Sequence, residues 1–138
     1  MRASTTHHFS SAHKLYNPAW SQQKNEEVFG PCANENWHGH NFTLIVSVKG
    51  FVSEETGRVI DPTDLNDIVR TNIIEKVDHK NLNLDVDFMQ GKMGSCENLV
   101  IEFWKILKKE VEELALGMTL DNLELWETPR NYVTYQGD

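Results

Sequence analysis

The stretch His40-Asn41-Phe42-Thr43-Leu44-Ile45-Val46-Ser47-Val48-Lys49-Gly50-Phe51 decides the fold class. Phe42, Leu44, Val46 and Val48 fall on one side, and Thr43, Ile45, Ser47 and Lys49 on the other. Side chains in a strand alternate between faces, so this is a strand with one strongly apolar face. Ser53 to Gly57 then reads as a turn, and Arg58-Val59-Ile60 as a short strand pairing back. Asp61-Pro62 opens a helix whose apolar positions Leu65, Ile68, Val69, Ile73 and Val77 follow a 3.6-residue period. Ser95 is the expected N-cap of a second helix, with Glu97 at its positive end. Val100, Phe103, Trp104, Leu107, Val111 and Leu114 form that helix's apolar stripe, and Gly117 ends the segment. Leu120 to Trp126 and Asn131 to Tyr135 read as strands. With a strand ending at His13, the order is β-β-α-α-β-β, an α+β domain with both helices on one face of a four-stranded antiparallel sheet. Such a sheet leaves two edges, which closure by further copies of the chain would cover.

The remaining long stretch, Asn17 to Asn36, is polar and turn-rich and reads as a loop. Trp20, Val28, Phe29 and Trp37 in and beside it should pack, and a long loop in a compact domain is usually functional.

The chain has 138 residues, with 21 Asp+Glu against 13 Lys+Arg and a net charge of −8. That length argues for one domain, 1–138, large enough for a core of its own. The acidic balance excludes a general nucleic-acid or anionic-membrane binder. No apolar run approaches the ~20 residues of a membrane span, and Met1 to His8 lacks an apolar signal core. Cys32 and Cys96 are too few for a disulfide framework, so thiols in a reducing cytoplasm are expected.

His38-Gly39-His40 carries the sharpest chemistry. Positions i and i+2 of a strand project from one face, and imidazole is a common zinc ligand. An open catalytic site needs a third ligand, which His13 could supply from the neighbouring strand. The same histidines could equally be two surface residues and one at the core edge. Cys32 lies six residues before His38. Beside a metal or cationic imidazole its thiol would have a lowered pKa and could act as base or nucleophile, although an inert Cys is the commoner case. Asp78 could orient His79. Glu127, just past a strand, could accept a guanidine-like ring edge or simply cap a turn. Glu97 has the same two readings. His7 and His8 belong to no motif and are expected at the surface.

Together these segments resemble the 6-pyruvoyltetrahydropterin synthase / 6-carboxytetrahydropterin synthase family. The resemblance is carried by Phe9-Ser10-Ser11-Ala12-His13-Lys14-Leu15, Val28-Phe29-Gly30-Pro31-Cys32, His38-Gly39-His40-Asn41-Phe42, Asp78 to Val86, Glu97-Asn98 and Glu127-Thr128. It implies the tunnelling fold, in which three subunits close their sheets into a barrel and two trimers stack into a homohexamer. It implies Zn²⁺ on His13, His38 and His40, with 7,8-dihydroneopterin triphosphate as substrate. Cys32 would be the general base, and His79, oriented by Asp78, the partner acid/base from a neighbouring subunit. Glu127 would anchor the pterin's amino-pyrimidine edge, aided by Glu97. Lys14 and Lys80 are candidates to meet the triphosphate.

The chain departs from the family pattern in four places. Ser95-Cys96 replaces a Thr/Ser pair that binds pterin, Lys14 stands for the usual Arg, Trp37 for a Gly and Glu35 for a Pro. Relatives that cleave the same side chain to 6-hydroxymethyl-dihydropterin carry a Glu three residues before the His-Gly-His, as Glu35 is here. Relatives making 6-carboxytetrahydropterin for queuosine carry Cys four residues before the first His. The spacing of six favours the pyruvoyl type. A non-catalytic zinc- or pterin-binding subunit, with Cys32 inert, is the alternative of a different class.

Overall fold

The computed structural model describes residues 1–114 and 117–138. The elements are β1 (Arg2–His13), α1 (Gln22–Phe29), β2 (His38–Lys49), α2 (Pro62–Val69), α3 (Glu75–Val77), β3 (Lys80–Asn81), α4 (Cys96–Leu114), β4 (Thr119–Trp126) and β5 (Tyr132–Tyr135). A π-helical turn, Arg70–Ile74, joins α2 to α3. Asp61 caps α2 as expected, accepting the Thr63 N–H at 2.9 Å. Ser95 caps α4, its Oγ accepting the Asn98 N–H at 3.2 Å.

The sheet has five strands in the order β3-β1-β2-β4-β5. β1, β2, β4 and β5 pair antiparallel, whereas β3 runs parallel to β1 through Ser11↔Lys80 and Ala12↔Asn81. The expected four-stranded antiparallel sheet is therefore a five-stranded mixed one. A two-residue strand between α3 and a turn has no hydrophobic period of its own to reveal it. Phe42, Leu44, Val46 and Val48 are fully buried, as their alternation requires. They share one core with Leu65, Val69 and Ile73 from α2 and its π turn, and with Leu99, Phe103 and Leu107 from α4. Phe9 stacks on Phe42 at 4.9 Å and meets Phe103 edge-on at 6.1 Å.

Two local expectations fail. Arg58-Val59-Ile60 is not a strand; its segment is a chain of turns and bends. The Ser53 N–H bonds Arg58 O and the Gly57 N–H bonds Ser53 O, closing a tight loop before Asp61 starts α2. The stretch 17–36 is not a loop throughout, because it contains α1 and a 3₁₀ turn, Gly30–Ala33. Asn25 organises it from a fully buried position. Its Oδ1 accepts the Asn17 N–H at 2.6 Å, and its Nδ2 donates to Asn17 O and Ser21 O, both at 3.0 Å. Trp20 stacks on Phe29, but Val28 is 55% exposed. Among the described residues, no helix is long and apolar enough to cross a membrane.

Phe42 anchors both the sheet and the aromatic stack. Truncating it to Ala should cost about 3–5 kcal/mol in chemical denaturation, the transfer energy plus the cavity left behind. A loss below about 1 kcal/mol would show that this layer is not the core's centre.

Candidate metal centre and substrate cavity

The β1–β2 register builds the site. It pairs His13 with His38 and Ser11 with His40. His38 and His40, two residues apart, therefore project to the side on which His13 lies. The ring centroids stand 4.6 Å (His13–His38), 4.9 Å (His38–His40) and 5.1 Å (His13–His40) apart. Glu127 joins them from the turn after β4, where its N–H bonds Asn131 O at 3.0 Å. One ligand atom from each of the four residues lies within 4.8 Å of the others. Glu127 Oε1 is 3.1 Å from His13 Nε2 and 3.3 Å from His40 Nε2.

The hydrogen bonding shows what this cluster is prepared for. His13 Nδ1 is 2.7 Å from the Gly94 carbonyl, which can only accept, so Nδ1 carries the proton. The Nε2 lone pair then faces the other imidazoles. His13 Nε2 and both His38 ring nitrogens are buried without a hydrogen-bond partner. Glu127 Oε1 comes within 3.1 Å of His13 Nε2, but in this tautomer that nitrogen has no proton to donate. Burial first, then neighbouring imidazoles, lowers the His38 pKa, with Glu127 opposing. Burial and His13 also lower His40, again against Glu127. Neutral imidazoles with free lone pairs plus a carboxylate suit a borderline divalent cation such as zinc, so these residues fit a metal.

Two members of the cluster, His13 and Glu127, line a cavity of about 250 Å³ together with Leu15, Ser95, Cys96, Glu97 and residues 131–133. Ser95 enters it while capping α4. Cys96 is buried. Burial, Glu127 and Glu97 push its thiol up to about 12. Cys32 is half-buried in the 3₁₀ turn, and its carbonyl accepts the Leu15 N–H at 2.8 Å. Burial, then the Glu127 charge, raises the thiol pKa of the polypeptide alone.

The structure keeps other expected site residues apart from this cavity. His79 has a left-handed backbone, φ 58°, and an 83% exposed side chain. It lines a second, open cavity of about 380 Å³ with Ser10, Ala12, Gly39, His40 and Asn41. Asp78 does orient it, with Oδ2 at 3.0 Å from His79 Nδ1. The Ser10 N–H, donated to Asp78 Oδ1 at 2.9 Å, holds the carboxyl below its usual range, outweighing partial burial; His79 adds to this. Glu35 is exposed in a bend between the 3₁₀ turn and β2. Lys14 Nζ sits over the Tyr16 ring (4.7 Å) and the Trp37 ring (5.2 Å). Lys80 lies by a separate groove with Lys76, Asp85 and Asp87. His8 is exposed as expected, whereas His7 is half-buried. Sequence reasoning missed two features: Glu127 among the histidines and the Gly94 carbonyl behind His13. A backbone acceptor leaves no residue signature.

The α+β sheet thus carries three histidines and a carboxylate that could hold a metal ion, beside a cavity. A family model described as 6-pyruvoyl tetrahydropterin synthase matches residues 2–138. A 6-pyruvoyl tetrahydrobiopterin synthase of Dictyostelium discoideum is 37% identical over 130 residues, 94% of this chain and 91% of that protein. One from Drosophila melanogaster is 36% identical over 129 residues, 94% and 75% of the two chains. The solved 6-pyruvoyl tetrahydropterin synthase of Caenorhabditis elegans superposes with a TM-score of 0.90 at 32% identity, covering 100% of this chain and 96% of that one. The chain belongs to the 6-pyruvoyl tetrahydropterin synthase family.

The depressed Asp78 pKa fixes a pH dependence. The contribution is present above the ordinary carboxylate pKa near ~4 and is lost as pH falls through the lower folded value. Asp78→Asn should therefore cost about 1 kcal/mol at pH 7, allowing for solvent screening. In urea titrations the gap should close as the pH falls below the ordinary carboxylate range. An unchanged gap at both pH values would show that the carboxylate's charge plays no part.

Proposed function

We propose that the protein is a zinc-dependent 6-pyruvoyltetrahydropterin synthase, a cytoplasmic carbon–oxygen lyase formed by one domain, residues 1–138. It converts 7,8-dihydroneopterin triphosphate to 6-pyruvoyltetrahydropterin by internal redox transfer and loss of triphosphate, with no nicotinamide. The observation that carries this reading is the group of buried, unpartnered imidazole nitrogens of His13 and His38, with His13 also lining a cavity that holds Glu97 and Glu127. The pyruvoyl-type names of relatives spanning 94% of the chain support it.

In this reading His13, His38 and His40 hold Zn²⁺. The ion, when bound, acidifies the substrate's side-chain hydroxyls and stabilises developing negative charge. Cys32 removes a proton from the side-chain carbon, and His79, oriented by Asp78, returns one. Glu127 and Glu97 accept the N–H donors of the amino-pyrimidine edge, beside Ser95 and Cys96. Glu127 is within reach of either the imidazoles or a pterin, and the pterin is its proposed partner when the metal occupies the histidines.

The exposure of His79 in an open second cavity suits a role in a neighbouring subunit's site. We accordingly place the chain in a barrel of three subunits, stacked as a hexamer.

Incubation with dihydroneopterin triphosphate and mass analysis should give the pyruvoyl product. A 6-carboxy or 6-hydroxymethyl mass would refute the pyruvoyl assignment, and no turnover by the zinc-loaded protein would favour a binding subunit. Chelation should abolish turnover and zinc should restore it. Cys32→Ala should lower kcat by about 10²–10⁴-fold, as expected for loss of a general base. Full activity in Cys32→Ala would remove Cys32 from the mechanism.

A further inference from the structure

We infer that Asn83 is a positioning residue for the histidine cluster, acting with Gly94 to fix the tautomer and aim of His13. The inference rests on the reading of His13 as a metal ligand.

His13 is the last residue of β1, so nothing in the sheet continues to hold the chain beyond it. Asn83 takes over that task. Its Oδ1 accepts the Lys14 N–H at 3.1 Å, and its Nδ2 donates to Lys14 O at 3.2 Å. One carboxamide thus brackets both backbone polar groups of the residue after His13, as a paired strand residue would. The β1–β3 register delivers it there. Ala12 pairs with Asn81 and the Leu82 N–H bonds Ala12 O, which brings Asn83 level with Lys14.

The same side chain sets the position of Gly94. A Cβ built on Gly94 would lie 2.8 Å from Asn83 Oδ1, and its three nearest neighbours are all Asn83 side-chain atoms. Gly94 has no left-handed φ that would itself demand glycine. The glycine is therefore required by close approach to Asn83. That approach brings the Gly94 carbonyl to 2.7 Å from His13 Nδ1.

The far side of this segment is tied to α4. Lys92 Nζ is 2.9 Å from Glu102 Oε1, and Asn98 Nδ2 donates to Met93 O at 3.0 Å. Residues 92–95 are held on one side by α4 and on the other by Asn83, with the Gly94 carbonyl aimed at His13 between them. A second partner on the non-ligating nitrogen orients a metal-binding imidazole, and its loss typically weakens metal binding 10–100-fold.

The experiment uses full-length protein. Zn²⁺ affinity is measured by competition with a chromophoric chelator, and the His13 tautomer of the metal-free protein by long-range ¹H–¹⁵N NMR. Asn83→Ala should weaken Zn²⁺ binding by about 10–100-fold, with His13 no longer held as the Nδ1–H form. Gly94→Ala should weaken it similarly, because its Cβ displaces the carbonyl. The double variant should be no worse than Asn83→Ala, since removing the carboxamide makes room for the methyl. A lowered Tm with unchanged Zn²⁺ affinity and tautomer would make Asn83 purely structural and overturn the proposal, as would additive losses in the double variant. Should Asn83→Ala not fold, Gly94→Ala alone decides by the same two readouts. Wild-type protein that binds no Zn²⁺ would instead sink the metal reading, while the tautomer would still test the geometry.

Discussion

The antiparallel register of β1 against β2 is the constraint on which the rest depends. It pairs Phe9 with Phe42 and His13 with His38 in a single ladder. Because the strand period is two, a slip by one residue would turn every side chain to the other face. It would bring Leu44 and Val46 out of the core and point His38 and His40 away from His13. The hydrophobic effect thus enforces the geometry of the polar cluster. Burial of four β2 side chains selects the face to which the histidines point. At about 1.5–3 kcal/mol for each large apolar side chain, that selection far exceeds any preference among the imidazoles themselves.

The cluster is costly to the polypeptide. Buried nitrogens without partners lose hydration and gain nothing in return. Burial lowers the pKa of His38 and His40, and Glu127 only partly opposes this. The fold carries such groups because the sheet around them is over-determined, from the Phe9–Phe42 stack on one side to the capped start of α4 on the other. A cation would satisfy these lone pairs and also invert the local electrostatics. The net charge of −8, with His counted as neutral, excludes long polyanions but says nothing of the field at this cluster. Lys14, held over two aromatic rings, is positioned by Tyr16 and Trp37 and shows no contact with the cavity.

Much of this was legible where side-chain pattern determines structure. The alternation of Phe42 to Val48, the Asp61 and Ser95 caps and the i, i+2 spacing of His38 and His40 all express geometry directly in residue type. The illegible parts have other physical origins. α1 has no apolar stripe, since its order comes from the hydrogen bonds of buried Asn25. β3 is two residues long and owes its existence to the edge of β1. Arg58-Val59-Ile60 has strand-like residues, but the turn at Ser53 to Gly57 closes without a ladder beyond it. Glu127 was expected at a ring edge on the strength of its place after β4. That place also overlooks His13 and His40, a tertiary contact that leaves no pattern in the residue order.

His40 shows why the two cavities belong to one design. Its Nε2 faces Glu127 in the histidine cluster, while the residue also lines the open cavity with His79. The two spaces are therefore separated by little more than the β1–β2 ladder, with Gly39 between the two histidines, where a Cβ would come 3.6 Å from Ser11 O. Asp78 is anchored to that ladder through the Ser10 N–H, so any shift of β1 moves both His13 and His79. Exposed polar groups on a strand ladder gain most when another surface closes over them, because a lower dielectric strengthens each interaction. The Asp78–His79 pair is screened while solvent reaches His79, and covering it would strengthen the pair. The register of β1 and β2 fixes where that pair stands.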